Sequence, residues 1–168
     1  TFNGNVFSGD LMWYADAYSE ADVYAYYPYK ENGVPTAYFC VYDQTEGIGA
    51  ADFMAAAKKG VLPTPNAITM VFKHMMTKIV VNIDNQSGAE VESVGIAGSP
   101  VGADINIAEM TVSELTGGMD TEYDGPVMAY ESVAGERWTA IIVPGTSKLS
   151  IEVSLSNGKK ITQPLAEM

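Results

Sequence analysis

The chain has 168 residues, a length that fits one domain and leaves ample room for a buried core. Hydrophobic residues make up 47% and charged residues only 18%, so polar duty falls on Ser, Thr, Asn, Gly and Tyr, a balance that suits a β-rich extracellular protein better than a helical cytosolic one. The net charge of −12 argues against nucleic acid and anionic membrane surfaces as partners, since both need a basic footprint, and leaves solubility or a cationic partner as its use.

Phe2–Phe7 reads as a short strand broken by Gly4, and Leu11–Ala17 alternates in strand fashion. Val23–Tyr29 places Val23, Ala25 and Tyr27 on one side and Tyr24 and Tyr26 on the other, with Pro28 marking a strand end or a sheet edge. Glu31-Asn32-Gly33 turns the chain, and Ala37–Tyr42 resumes as a strand. The single cysteine, Cys40, lies in that strand between Phe39 and Val41; it rules out an internal disulfide or a thiolate metal cluster and reads as a buried small hydrophobe.

Ala50–Lys59 is the one segment expected to be helical. It is rich in alanine, carries Asp52 in its first turn and Lys58 and Lys59 in its last, and is followed by Gly60 as a stop. It is too short to stand alone and must pack on a sheet.

The longest apolar segment, Pro65–Asn85, follows, and the rest of the chain is expected to be organised around it. Ala67–Phe72 and Ile79–Ile83 read as strands. Ile68, Met70, Phe72 and His74 share one face, whereas Ile79, Val81 and Ile83 fall on the opposite parity. A change of parity within one run predicts a bulge or tight turn near His74–Thr77, giving a kinked strand pair at the centre of a sandwich. The rival reading, an amphipathic helix, is disfavoured by Thr77, Ile79, Val80 and Val81.

The second half is a run of short strands: Val91–Ala97, Ile105–Ala108, Met110–Leu115, Val127–Val133, Trp138–Val143 and Leu149–Leu155. Gly98–Gly102 and Ala134–Glu136 read as turns. Asn157-Gly158 predicts a type I′ hairpin into Lys159–Gln163, with Pro164 as the stop. About nine to eleven strands and one short helix, with frequent turn signals, predict an all-β antiparallel sandwich.

The sequence points to no catalytic residues, no cofactor and no metal site. His74 is the sole histidine and sits in the most apolar stretch, where a packed or hydrogen-bonded structural role is favoured over a triad role. No GxSxG, HExxH or P-loop pattern occurs. Asp120, Glu122 and Asp124 lack EF-hand spacing and read as solvated loop charges rather than calcium ligands. Asn85-Gln86-Ser87 satisfies a glycosylation sequon, a pattern common by chance. Tyr24, Tyr26, Tyr27 and Tyr29 could form a platform for a glycan or protein partner, against the plainer reading that such rings cover a sandwich rim.

Three segments occur together in order: Asp22–Tyr29 (DVYAYYPY), Ala51–Ala56 (ADFMAA) and Val71–Ile79 (VFKHMMTKI); Ile141–Thr146 (IIVPGT) precedes the last hairpin. This ordered set resembles the fimbrillin-like surface proteins of Bacteroides-type bacteria. The resemblance implies a transthyretin-like Greek-key β-sandwich, here with one short helix, and a non-catalytic subunit of cell-surface fimbriae. It implies an exported lipoprotein precursor at the outer membrane, with other fimbrial subunits as partners joined by strand exchange, and host or microbial surface ligands as further partners. Membrane attachment would then run through a lipid anchor absent from this chain, because Cys40 lies inside a strand with no lipobox before it. Thr1 is not an initiator and no signal peptide is visible, so residues 1–168 are expected to be a single sandwich domain, or a processed piece of a longer precursor. The alternative function is a surface module that binds glycan or peptide through the aromatic strand.

Overall fold

The computed structural model describes residues 18–29, 41–100, 102–114, 125–145 and 148–165. The strands expected over Phe2–Phe7 and Leu11–Ala17, Cys40 and the Asp120, Glu122 and Asp124 loop lie outside these residues. The described chain is all-β, with strands β1 (Ala21–Tyr27), β2 (Met54–Val61), β3 (Lys73–His74), β4 (Thr77–Asn82), β5 (Val91–Ala97), β6 (Ala103–Asn106), β7 (Thr111–Glu114), β8 (Val127–Met128), β9 (Tyr130–Val133), β10 (Arg137–Ile142), β11 (Ser150–Leu155) and β12 (Lys160–Pro164).

Two antiparallel sheets form the main sandwich, with orders β4-β10-β9 and β12-β11-β5-β8. Val81, Trp138, Ala140 and Ile142 from the first meet Val94, Ile96, Val127 and Leu149 from or beside the second, all buried. Alternation explains the contributors. Ile79, Val81 and Ile83 share the parity that faces this core, while Lys78, Val80 and Asn82 point out. A smaller core lies between sheet β1-β2-β3 and the β6-β7 hairpin, built on Phe53, Ala55, Ile105 and Ile107 with Tyr26, Met75, Met76 and Met110 packed against it.

The kinked apolar segment behaves as its pattern predicts in one respect. Ile68, Met70 and Phe72 are half-buried and alternate with exposed Thr69 and Val71, and the inward parity then switches between His74 and Thr77. The switch is where the chain passes from one sheet to another, β3 pairing with β2 and β4 with β10. Two details differ. Residues 67–72 lie outside the strands. The centre of its sheet is β10, not β4, because β10 is bonded on both sides and keeps Trp138 to Ile142 buried.

The expected helix at Ala50–Lys59 is absent: a turn at residues 48–52 leads straight into β2. Helix propensity is worth only tenths of a kcal/mol per residue. It loses here to a two-sided ladder in which Ala55 pairs with Tyr26 and Lys73, and Ala56 with Ala25. The alanines are used for their size, since Ala55 and Ala56 are fully buried. Gly60, read as a helix stop, has φ +66 and sits at the β1–β2 register shift, where its N–H donates to the Asp22 carboxylate at 2.9 Å.

The β11–β12 hairpin also corrects an expectation. Gly158 has φ +80, but Asn157 is not left-handed, so the turn is not type I′. Gly158 N–H donates to Leu155 O at 2.8 Å and Leu155 N–H to Lys159 O at 2.9 Å, which describes a type I turn followed by a left-handed glycine.

Candidate functional site

The tyrosine strand was the candidate contact surface, and β1 distributes its rings unevenly. Tyr26 faces the smaller core and stacks on Phe53, with centroids 6.2 Å apart and planes 19° from parallel. Tyr24 and Tyr27 fall on opposite faces of the strand by parity and are 37% and 46% exposed; beyond the strand Tyr29 is 78% exposed. The Tyr24 hydroxyl donates to Asp22 Oδ2 at 3.1 Å. Desolvation first, and the bond to the Asp22 carboxylate second, push this hydroxyl above its ordinary pKa. The Asp22 carboxyl is held below the usual range, chiefly by the Gly60 N–H and then by the Tyr24 hydroxyl.

His74 is mostly exposed rather than packed. Its Nδ1 lies 2.8 Å from Asp52 Oδ1, tying β3 to the residue two before β2. Among the described residues no hydroxyl bonds the other ring nitrogen, so a Ser–His–Asp relay is not assembled there. Nor do the described residues include a group of three or more His, Cys, Asp or Glu that could hold a metal ion. Asn85 is exposed, but its side chain is engaged: Nδ2 donates to Ala89 O at 2.6 Å, and Oδ1 accepts from the Ser87 hydroxyl at 2.7 Å.

The feature that sequence reasoning missed is a buried polar seam along one side of the sandwich. β9 pairs with β10 only from Arg137 to Thr139. One residue earlier, at Ala129, the chain crosses to the other sheet, where β8 pairs with β5. Among the described residues, no strand pairs with β10 at Ile141 on that side. Gln44, 1% exposed, supplies what is missing with its side chain. Ile141 N–H donates to Gln44 Oε1 at 2.8 Å, and Gln44 Nε2 donates to Ile141 O at 2.7 Å. The carboxamide stands in for a peptide group and satisfies both. Its main chain meanwhile bonds β8: Gln44 N–H donates to Met128 O at 3.1 Å and Met128 N–H to Tyr42 O at 2.7 Å, around a parallel bridge from Asp43 to Met128. The segment Val41–Gln44 therefore straps the two sheets together. Beside it lies an apolar recess lined in part by Val41, Met76, Val127 and Ile141, with room for little more than a water molecule and too small for an ordinary ligand. A single Gln after Asp43 gives no periodic signal, so no pattern in the sequence marks this residue.

A family model described as fimbrillin-like matches residues 1–168. The chain belongs to the fimbrillin-like family. Among curated proteins none matches it. Two solved structures share the fold. A candidate cell adhesion protein of Bacteroides uniformis ATCC 8492 aligns at TM-score 0.64 and 18% identity over 88% of this chain and 64% of its own. A second, from Bacteroides ovatus ATCC 8483, aligns at TM-score 0.66 and 20% identity over 97% of this chain and 63% of its own. The fimbrillin-like chain thus spans a little under two thirds of the length of these neighbours.

Proposed function

We propose that this fimbrillin-like chain is a non-catalytic structural subunit of cell-surface fimbriae, displayed outside the cell and joined to other subunits by strand addition. The observation that carries the reading is the family match over residues 1–168. The two solved neighbours, described as candidate cell adhesion proteins, support the same reading. Physically, an all-β domain presents many strand edges, and an added strand gains main-chain bonds along its length while alternate side chains fill pockets. Residues 1–168 act in this reading as one unit, held at the outer membrane through a lipid anchor. The test is light scattering on the full-length protein before and after limited proteolysis. Growth into oligomers on trimming supports the reading; a trimmed protein that stays monomeric and takes up no peptide strand refutes it.

A second reading rests on the exposure of Tyr27 and Tyr29, which leaves these rings to meet a glycan or peptide, while Tyr24 lies on the other face of β1. Binding on a glycan array that disappears in Tyr27→Ala and Tyr29→Ala supports it. Tyr26→Ala is the folding control, since that ring packs on Phe53.

A further inference from the structure

We infer that Tyr27 is one end of a row that crosses sheet β1-β2-β3 to His74, and that this row binds an uncharged pyranose disaccharide. The inference rests on the second reading above and extends its contact surface from one strand to three. Tyr27 is in register with Met54, and Met54 with His74, and residues directly opposite in antiparallel strands share a face. Their face is the one turned away from the smaller core, because Tyr26, Phe53 and Ala55, each one position along, belong to that core. Tyr27 and His74 are exposed and Met54 is half-buried, whereas on the next rung of the same face Ala56 is 1% exposed. The open rung is therefore a phenol ring, a thioether and an imidazole in line. It is about 10 Å from end to end, two strand spacings, which seats two sugar rings. Tyr29 follows just beyond the Tyr27 end and is exposed.

The chemistry of the His74 end selects the ligand. The Asp52 carboxylate can only accept, so its 2.8 Å contact holds a proton on Nδ1 of His74. Among the described residues Nε2 has no hydrogen-bond partner. In the neutral ring Nε2 accepts and in the charged ring it donates; a hydroxyl group answers both, since it does either. The Tyr27 ring and the Met54 thioether suit the C–H face of a pyranose, so the row offers apolar contact at one end and a hydroxyl partner at the other. Charge argues against the alternatives. The Asp52 carboxylate and the net charge of −12 disfavour acidic sugars. Lys58, two rungs along the same face, and Lys73, beside His74 in β3, disfavour a basic peptide.

His74 is the single histidine of the chain, so its imidazole gives one assignable set of NMR signals. The test follows them in the full chain while maltose, cellobiose, lactose and mannobiose are added in turn, with affinities read from backbone amide shifts. At least one of these sugars should move the His74 ring signals in a saturable way. Tyr27→Ala should weaken that sugar's binding about tenfold, the worth of one stacked ring. His74→Ala should weaken it about three- to tenfold, the worth of one hydrogen bond, and should fold because the ring is mostly exposed. Tyr24→Ala, on the other face of β1, should leave it unchanged. Binding that depends on Tyr27 but neither moves the His74 signals nor weakens in His74→Ala overturns the row and leaves the second reading intact. Failure of all four sugars to bind overturns the inference, and the glycan array then decides the second reading by itself. Tighter binding of sialyllactose or of oligolysine than of any neutral sugar overturns the uncharged ligand.

Discussion

Gly95 offers a sharp test of how the sandwich is closed. It lies in the middle of β5, buried, between Glu152 of β11 and Met128 of β8. A methyl group placed on its Cα would lie 2.8 Å from Pro126 Cβ, 2.9 Å from Pro126 Cγ and 3.6 Å from Met128 Sδ. Carbon atoms pack best at roughly 3.5–4.0 Å, so two contacts fall short by about 0.6 Å or more, against a ring that cannot rotate away. Overpacking of this kind costs about 1–3 kcal/mol. Reduced entropy of the unfolded chain returns about 0.4–1 kcal/mol of that for Gly→Ala. Gly95→Ala should therefore destabilise by about 1–2 kcal/mol, a fall in Tm of roughly 2–8 °C for a domain of this size. Thermal unfolding followed by circular dichroism measures it. Repeating the substitution in a Pro126→Gly background removes the opposing atoms and should abolish most of the cost. A variant as stable as the parent, or one with the same cost in both backgrounds, would refute the packing of residues 125–128 over β5.

Ile96 is fully buried in the main core, and Ile96→Ala should cost about 2–5 kcal/mol with an unchanged denaturant slope; a loss under 1 kcal/mol would mean the cavity collapses or the core is misplaced. His74→Ala removes a mostly exposed pairing with Asp52 and should change stability by less than about 1 kcal/mol, so a larger loss in urea melts would reveal a role the geometry does not contain. The Asp22 carboxyl is held below its ordinary value of 3.8, chiefly by the Gly60 N–H, so it stabilises the fold above that pH and the contribution fades as pH falls through the folded value. Asp22→Asn should accordingly lessen the acid dependence of Tm below about pH 4; an unaltered acid limb would contradict the assignment.

Much of the fold can be read from pattern. Val91–Ala97 is strand from end to end as expected, and the apolar positions Leu149, Ile151 and Val153 reach the main core as their alternation predicts, although the intervening Ser150, Glu152 and Ser154 are half-buried too. The parity switch after His74 marks the passage between sheets. Where the reading failed, a local preference met a tertiary competitor. Ala55 and Ala56 suit a helix, but their small size also suits buried strand positions, Ala55 in the core with Tyr26 and Phe53 and Ala56 opposite Ala25, and composition does not distinguish the two. Asn157-Gly158 marks the hairpin correctly, but the dipeptide does not specify whether the loop holds two residues or three, and here the turn closes from Leu155 to Gly158. The seam is the least legible feature. Gln44 acts through its carboxamide on Ile141, 97 residues away, and nothing in the neighbourhood of either residue announces the pairing.

The claim on which the account turns is that subunits of this fimbrillin-like protein join through main-chain strand pairing. Residue-resolved hydrogen exchange on the assembled form, compared with the isolated chain, addresses it most directly. The account predicts a contiguous set of backbone amides on one strand edge that gain protection on assembly, with Ile141 among those held throughout. Assembly in which no strand edge gains protection would contradict it.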